Sequence, residues 1–126
     1  MPVPSLSHVI LFVQNPAESA HFYTRLLELT PIEEHPTFVC YKLSNGTHLG
    51  LWSSKTARPA VKAGAGGSEI CFAEDDVEGL YKKWSSWGIP MAQEPTCMDG
   101  MKSTFVALDP DGHRIRVFCL EDEESL

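Results

Sequence analysis

The order of apolar and polar positions in the first half of the chain predicts one strand, one helix and then three strands. Residues 7–13 are mostly apolar and rich in β-branched side chains, which is typical of a strand. Asn15 and Pro16 then mark a helix start, because asparagine caps the first turn and proline suits the first helical position. Apolar residues recur at helical spacing beyond them and predict one buried stripe, which consists of Ala20, Tyr23, Leu26 and Leu27.

The strands that follow this helix are expected to form a small sheet. Pro31 and Pro36 bracket a short extended piece, and two further segments, residues 38–43 and 47–52, have strand composition. Asn45–Gly46 separates these two segments, and Asn-Gly is the strongest short signal for a two-residue hairpin turn. The sequence therefore predicts a hairpin with a two-residue turn.

Residues 55–68 separate this half from the next. The segment begins with Lys-Thr-Ala-Arg-Pro-Ala, ends in Gly64–Gly67 and shows neither a helical nor a strand period, so it is predicted to be a flexible linker. We therefore interpret the chain, residues 1–126, as a single domain made of module one (5–54), the linker (55–68), module two (69–120) and an acidic tail (121–126).

The same order of elements begins again after the linker. Residues 69–73 predict a short strand, and Asp75–Asp76 predicts the cap of a helix that ends at Gly88. One apolar face is predicted for this helix, made of Val77, Leu80, Tyr81 and Trp84. Three extended segments follow, near residues 92–97, 103–108 and 114–120, and the sequence Asp-Pro-Asp-Gly gives a turn between the last two.

The two halves match each other at two constant offsets. An offset of 61 places the helix cap Asn15 on Asp76, and an offset of 66 places Asn45–Gly46 on Asp111–Gly112. Because caps and turns coincide as well as hydrophobicity, we predict one β-α-β-β-β module that occurs twice. A single module leaves one sheet face uncovered, so we expect two of them to pair around a core or a cavity.

Charge narrows the range of partners. The chain has 126 residues, 10 of them basic and 17 acidic, for a net charge of -7. This balance argues against nucleic acid, because proteins that bind it present a basic surface. It favours neutral or cationic small molecules instead.

The expected compartment is the cytoplasm. No apolar run is long enough to span a bilayer, and the N-terminus lacks the pattern of a secretory signal, so no membrane association is expected. The four cysteines, Cys40, Cys71, Cys97 and Cys119, contain no Cys-x-x-Cys pair. Two disulfides are formally possible, but cysteines in predicted strands usually serve as small apolar residues with free thiols.

Three segments carry a resemblance to a known group of proteins. His8–Val13, Phe22–Leu27 and the Asp-Pro-Asp-Gly-His-Arg-Ile stretch at 109–115 resemble the vicinal oxygen chelate superfamily. This superfamily includes glyoxalase I, extradiol dioxygenases, fosfomycin-resistance enzymes and bleomycin-binding proteins. The resemblance covers the chain except for its tail and implies an α+β fold: two βαβββ modules that form a curled mixed sheet around a cavity, usually in a homodimer.

The resemblance also points to four positions where the metalloenzymes of this superfamily place their ligands. Carried over to this chain, those positions are His8, Gly50, Glu69 and Arg116. His8 and Glu69 could bind a metal, but glycine has no side chain and arginine has no lone pair to donate. A tightly held divalent ion needs three or more donors, so we expect no metal cofactor and a pairing of Arg116 with Glu69 instead.

Strand alternation predicts which side chains line the cavity. If Gly50 and Arg116 face it, their alternating neighbours do so as well. A two-residue turn in each hairpin would place Tyr41 opposite Gly50 and Phe105 opposite Phe118. The predicted wall consists of Phe12, Tyr41, Trp52, Phe105 and Phe118, with His8 and His48 among its polar members. Flat, polarisable surfaces of this kind bind aromatic ligands by stacking.

One branch of the superfamily matches further. Leu51–Ser53 resembles the Ile-Trp-Ser stretch of the phenazine-binding resistance proteins, and Ser68–Ile70 and residues 109–117 also resemble their sequence. That resemblance implies that Trp52 stacks on a ring system, with Ser53 beside it, and that the ligand is held without being transformed. His8 departs from the branch, where an apolar residue is expected.

Two classes of function therefore compete, with a third behind them. The first is a binding protein without catalytic residues that sequesters a planar aromatic antibiotic, phenazine-like or bleomycin-like, with Arg116 and Glu69 as its polar contact. The second is a metal-dependent lyase or isomerase of the glyoxalase type, or a dioxygenase, with His8 and Glu69 as metal ligands. The third is a protein-interaction module that keeps only the fold.

Overall fold

The computed structural model of the chain describes residues 3–120, so the predicted acidic tail lies outside the described residues. The chain divides into two compact units, Met1–Gly64 and Ala65–Leu126. Each unit contains one helix and one four-stranded mixed sheet, with the same order of elements in both. The predicted α+β fold of two βαβββ modules is confirmed.

The first unit builds its sheet from four short strands around one helix. Its elements in chain order are β1 (His8–Val13), α1 (Pro16–Leu27), β2 (Glu33–His35), β3 (Phe38–Lys42) and β4 (His48–Ser53). The strands lie in the order β1-β4-β3-β2. β1 is parallel to β4, and the other pairs are antiparallel.

The second unit repeats this topology. Its elements are β5 (Glu69–Ala73), α2 (Val77–Ser86), β6 (Met91–Met98), β7 (Met101–Leu108) and β8 (Arg114–Leu120). The strand order is β5-β8-β7-β6, with β5 parallel to β8. The repeat is present at the level of single residue pairs, because His8 is paired with His48 where Glu69 is paired with Arg114.

Both helices begin at the predicted caps. The Asn15 side chain accepts a hydrogen bond from the backbone N–H of Glu18 (3.2 Å), and Asp76 accepts one from Gly79 (2.9 Å). Each bond satisfies a donor that the first helical turn leaves without an intrahelical partner. After α2, Gly88 has a φ of +78°, a conformation that glycine adopts at little cost, and the helix ends there.

The two hairpin loops are one residue longer than predicted. Leu43 donates its N–H to the carbonyl of Thr47 and Asp109 donates to His113, so each loop has three residues instead of two. Gly46 and Gly112 each close a loop with a positive φ, of +88° and +90°. Because side chains alternate along a strand, a shift of one residue changes which neighbours share a face.

The longer loop moves Tyr41 away from the predicted wall. Its Cα partner is Leu49, not Gly50, and its hydroxyl donates to the carbonyl of Ala20 on α1 (2.8 Å). A second hydrogen bond joins it to Thr24 (2.8 Å), and the side chain is fully buried. Desolvation by this burial raises the pKa of Tyr41. Its predicted place on the wall is wrong, because Tyr41 belongs to the core between α1 and sheet one.

Phe105 requires the same correction in the second unit. Its Cα partner is Val117, not Phe118, and its ring packs edge-on against Tyr81 and Trp84 of α2 at 5.4 and 5.5 Å between centroids. Phe105 is fully buried. The residue therefore stabilises the attachment of α2 to its sheet and does not line the opposite face.

The remaining features concern the connector, the cysteines and membrane association. Part of the predicted linker is packed, since Ala57 is buried and its N–H donates to the carbonyl of Ser53.

The four cysteines all lie in strands and all are free thiols. Within residues 3–120, neither helix is long and apolar enough to cross a membrane.

Candidate functional site

The face of sheet one that points away from α1 carries a group of aromatic rings. Phe12, Phe38 and Trp52 occupy neighbouring positions on β1, β3 and β4, because Trp52 is the Cα partner of both phenylalanines. The Trp52 ring lies 5.9 Å from Phe12, tilted by 35°, and 6.5 Å from Phe38, edge-on at 87°. Phe12 remains 37% exposed. We call these three residues the Trp52 surface.

Gly50 allows this surface to form. It lies two residues before Trp52 on the same face of β4, and Ile10 and Phe38 fill the space beside its Cα. A Cβ at this position would be 2.6 Å from Ile10 Cδ1 and 2.8 Å from Phe38 Cε1, both too close. The absence of a side chain therefore allows Phe38 to lie over β4 and turn its edge to Trp52.

Two histidines occupy the other end of this face. The rings of His8 and His48 are stacked, with centroids 4.7 Å apart and planes inclined by 17°. Both Nδ1 atoms face Ser7: that of His8 lies 2.9 Å from the hydroxyl, and that of His48 lies 3.4 Å from the carbonyl oxygen. The predicted common face of His8, His48 and Trp52 is confirmed, with the imidazoles at the start of the strands and the indole at their end.

Ser53 does not join the Trp52 surface. It is the next residue on β4, so its side chain points to the opposite face, and it is buried. Its hydroxyl accepts a hydrogen bond from the N–H of Lys55 (3.3 Å). The proposed place of Ser53 beside a ligand is therefore wrong, and its hydroxyl stabilises the turn after β4.

The second unit carries a polar cluster on the corresponding face of its sheet. The Glu69 carboxylate of β5 accepts a hydrogen bond from Arg116 Nε on one oxygen and from Arg114 Nε on the other, the second at 2.9 Å. The predicted pairing of Glu69 with Arg116 is confirmed, and Arg114 is an additional partner. The parallel register of β5 and β8 positions all three, since Arg114 is the Cα partner of Glu69.

Two neutral side chains complete what we call the arginine cluster, which consists of Glu69, Gln93, Thr104, Arg114 and Arg116. Nη1 of Arg116 donates to Thr104 Oγ1 (2.9 Å) and to Gln93 Oε1 (3.2 Å). The side chain of Arg116 is 13% exposed, against 41% for Arg114. The hydrogen bond from Arg116 holds the pKa of Glu69 below its ordinary value; partial desolvation opposes this effect and Arg114 adds to it.

Phe118 follows Arg116 on the same face of β8. Its Cα partners are Ala73 on β5 and Thr104 on β7, and its side chain is partly buried. The position corresponds to Trp52 in the first unit, since both stand two residues after the Gly50 or Arg116 position. Each sheet thus places polar groups at the start of its parallel strand pair and an aromatic ring near the end.

The residues at the four family positions do not form a metal site. The space beside Gly50 is filled by Ile10 and Phe38, and Arg116 is a cation whose Nε already binds Glu69. A carboxylate engaged by two guanidinium groups is a poor donor for a further cation. Within residues 3–120, no group of three or more histidine, cysteine, aspartate or glutamate side chains could hold a metal ion.

The sequence reasoning missed Phe38, Arg114, Gln93 and Thr104. Phe38 and Thr104 would have followed from the correct three-residue loops, because that register places them beside Trp52 and Phe118. Arg114 could have been found from the repeat, since the two offsets place it beside Glu69 where His48 lies beside His8. No sequence signal predicts the place of Gln93, because β6 pairs with β7 through several bulges that change the strand register.

A comparison with protein families adds to this geometry. Residues 5–117 match the glyoxalase/bleomycin resistance protein/dioxygenase superfamily. The chain belongs to this superfamily. The resemblance that the sequence showed is therefore confirmed over nearly its whole length.

Individual proteins are similar to this chain at different levels. The phenazine antibiotic resistance protein EhpR of Enterobacter agglomerans is 30% identical over 118 residues, which cover 89% of each chain. The solution structure of protein ATC0852 from Agrobacterium tumefaciens is 37% identical, with a TM-score of 0.84, and the match covers 95% of this chain and 100% of that one. A glyoxalase-related enzyme from Fulvimarina pelagi shares the fold at 18% identity and a TM-score of 0.80, covering 93% of this chain and 88% of the other.

Proposed function

We propose that this protein binds and sequesters a planar aromatic molecule, as a phenazine-type antibiotic would be, and does not transform it. The observation that carries the proposal is the Trp52 surface: an indole flanked by two phenylalanine rings on a sheet face that α1 does not cover. The similarity to the phenazine antibiotic resistance protein supports the same ligand class.

The chemistry of this surface fits stacking. An indole presents a large polarisable face, and aromatic pairs prefer offset or edge-on arrangements with centroids 4.5–7 Å apart, as a general range. Phe38 already contacts the Trp52 ring edge-on, which holds the indole in one orientation. An indole that is fixed before binding loses little conformational entropy when a flat ligand stacks on it.

Sequestration needs no catalytic group. Two of the four residues at the family's metal positions cannot act as metal ligands. Gly50 offers no side chain, and the Arg116 guanidinium holds the Glu69 carboxylate. A protein that lowers the free concentration of an antibiotic by stoichiometric binding needs only affinity and abundance. We therefore expect unchanged ligand to be recovered after binding, and chelators to leave the affinity unaltered.

Fluorescence titration with phenazine tests the proposal. Phenazine should quench the emission of the native protein to saturation, and Trp52→Ala should weaken binding about ten-fold or more, as expected for the loss of one stacking partner. Trp87→Phe is the matched control, because this indole lies after α2 in the second unit, and it should leave the affinity unchanged. Dialysis against a chelator before titration should change nothing.

Two results would contradict the proposal. The first is equal binding of phenazine by the native protein and Trp52→Ala, after correction for light absorbed by phenazine. The second is conversion of bound phenazine into a product, detected by mass spectrometry of the extracted ligand. The homodimer that the family resemblance implies and the cytoplasmic location expected from the sequence are further parts of this proposal, and light scattering of the purified protein tests the first.

A further inference from the structure

We infer that a cleft between α1 and the edge strand β2 binds a zwitterion with an aliphatic body, as an aliphatic amino acid or a short aliphatic peptide would be. The cleft lies on the side of sheet one that faces α1, whereas the Trp52 surface lies on the other side. The inference therefore goes beyond the proposed function, and every residue of the site belongs to the first unit.

The cleft opens at the border of the sheet. α1 packs mainly against β3 and β4, and β2 is the edge strand next to β3. The space between the helix and this edge has a volume of about 670 Å³. Small-molecule sites span roughly 300–1,000 Å³, so the space is large enough for a ligand. We call it the α1 cleft; the lining residues that matter here are Ala20, His21, Thr24, Arg25, Glu34 and Val39.

The floor of the α1 cleft is apolar and aliphatic. Ala20 and Val39 are buried in it, and Pro31 and Pro36 add apolar surface at its edges. Among the described residues, no phenyl, phenol or indole ring lines this space. An aliphatic side chain that covered the floor would remove apolar surface from water, which is the main favourable term in such contacts.

Glu34 places negative charge on the β2 wall. It is the Cα partner of Val39, and paired residues of neighbouring strands point to the same face of a sheet, here the face toward α1. Its carboxylate acts on the hydroxyl of Tyr41: desolvation raises the pKa of Tyr41, and Glu34 adds to that rise. Within residues 3–120 the Glu34 side chain makes no hydrogen bond or ion pair.

Thr24 adds a hydrogen-bond acceptor on the α1 wall. The hydroxyl of Tyr41 has one proton, which it donates to the carbonyl of Ala20 (2.8 Å). The contact of 2.8 Å between Thr24 and Tyr41 therefore takes its proton from Thr24. The hydroxyl oxygen of Thr24, which lines the cleft, has only lone pairs left to offer, and together with the Glu34 carboxylate it suits an ammonium group.

The same helix supplies positive charge and donors. His21 and Arg25 stand four residues apart, so they share one face of α1, and both are exposed. Among the described residues the His21 imidazole makes no hydrogen bond. Arg25 is a permanent cation, and a guanidinium matches the two oxygens of a carboxylate.

The two kinds of charge explain why a zwitterion fits better than a simple ion. A cation alone would gain Glu34 but face the charge of Arg25, and an anion alone would gain Arg25 but face Glu34. A ligand with one ammonium group and one carboxylate pairs with both. The apolar floor then selects the aliphatic body.

L-Leucine and two analogues test the inference. 3-Methylbutylamine is leucine without its carboxylate, and 4-methylpentanoate is leucine without its amine. All three are aliphatic, so none of them can stack on Trp52. Leucine should bind about five-fold more tightly than either analogue, which is the size of one exposed ion pair.

The imidazole signals in a ¹H–¹³C spectrum report where leucine binds. His21 and His35 both line the α1 cleft, and their signals, assigned with His21→Gln and His35→Gln, should shift to saturation. The signals of His48, on the other face of the sheet, and of His113, in the second unit, are internal controls and should stay in place.

Two variants separate the charged groups of the ligand. Glu34→Gln should lower the affinity for leucine about five-fold and leave that for 4-methylpentanoate within about two-fold. Arg25→Gln should lower the affinity for leucine by a similar factor and leave that for 3-methylbutylamine within about two-fold. Glu94→Gln on β6 and Lys82→Gln on α2 make matched changes in the second unit and should alter neither affinity.

Leucyl-leucine distinguishes an amino acid from a peptide. It carries the same end groups on a longer aliphatic body, and tighter binding than that of leucine would assign a peptide as the ligand. Weaker binding would assign the amino acid.

Two results would overturn the inference. The first is equal binding of leucine and both analogues with no effect of Glu34→Gln or Arg25→Gln. The second is leucine that leaves the His21 and His35 signals unshifted at saturating concentration. Failure of phenazine to quench Trp52 would contradict the proposed function alone, because the two sites lie on opposite faces of the sheet.

Discussion

Gly50 shows how one missing side chain organises a surface. Its position corresponds to Arg116 in the second unit, and the family resemblance implies a metal ligand at this position in the metalloenzymes. In this chain the side chains of Ile10 and Phe38 fill the space beside the Gly50 Cα, and the Phe38 ring contacts the Trp52 ring. The lack of a side chain at residue 50 therefore makes room for the Trp52 surface.

Gly50→Ala tests this packing. The new Cβ would collide with the ends of the Ile10 and Phe38 side chains, which must move, so the free energy of unfolding should fall by about 1–3 kcal/mol. Urea unfolding measures the change, and a shifted Trp52 emission should accompany it. Gly67→Ala is the control, because a Cβ there meets nothing within 4 Å and should cost less than about 0.5 kcal/mol. Unfolding curves of Gly50→Ala that match the native protein would contradict the packing account.

Ionisation of Glu69 should make the free energy of unfolding depend on pH in the acid range. Its pKa is lower in the folded protein than its ordinary value of 4.5, so its contribution to stability is complete above that value and is lost as the pH falls through the folded pKa. Glu69→Gln should therefore show a shallower loss of stability below about pH 4.5 than the native protein does.

The same variant should be less stable at pH 7. Removing the carboxylate leaves Arg116, only 13% exposed, without its charged partner. We expect a loss of about 1–3 kcal/mol in urea unfolding at pH 7. Glu34→Gln, on the exposed edge strand β2, is the control for loss of one acidic group. Parallel pH profiles for native protein and Glu69→Gln would exclude the proposed ion-pair contribution.

At the scale of elements, the sequence predicted the order of strands and helices well but not the faces of the strands. Caps, apolar periods and glycine positions are local signals, and Asn15, Asp76 and Gly88 act as they predict. The hairpin register depends on loop length, and Asn-Gly occurs here inside a three-residue loop that ends with Gly46 at positive φ. One extra residue in each of the two hairpin loops moved Tyr41 and Phe105 from the predicted wall into the helix-side cores.

The two caps offer matched tests of the repeated element. Asn15→Ala and Asp76→Ala should each lower the free energy of unfolding by about 1 kcal/mol, because a helix N–H loses its acceptor in both cases. Asn15→Ser and Asp76→Asn keep an oxygen at the cap and should stay within about 0.5 kcal/mol of the native protein. Chemical denaturation of all four variants checks the pair. Alanine variants as stable as the cap-preserving ones would show that the caps contribute little.

At the scale of the molecule, the two units share one fold but carry different functional side chains. The first unit has stacked histidines and an aromatic surface, and the second has an ion-pair cluster with excess positive charge. The repeat and the family were readable from the sequence because they rest on turns, caps and strand positions. The sequence predicted only Glu69 and Arg116 of the arginine cluster. The place of Arg114 follows from the repeat, whereas Gln93 contributes through the bulged pairing of β6 with β7, which no local signal encodes.

The central claim is that a planar aromatic ligand stacks on Trp52 and is released without chemical change. Its most direct test is the ¹H–¹⁵N spectrum of the native protein during titration with phenazine, because the chain has three indole N–H groups and two of them are internal controls. The account predicts that the signal of Trp52, assigned by Trp52→Phe, shifts to saturation while those of Trp84 and Trp87 stay in place. A Trp52 signal that does not move while phenazine binds would contradict it.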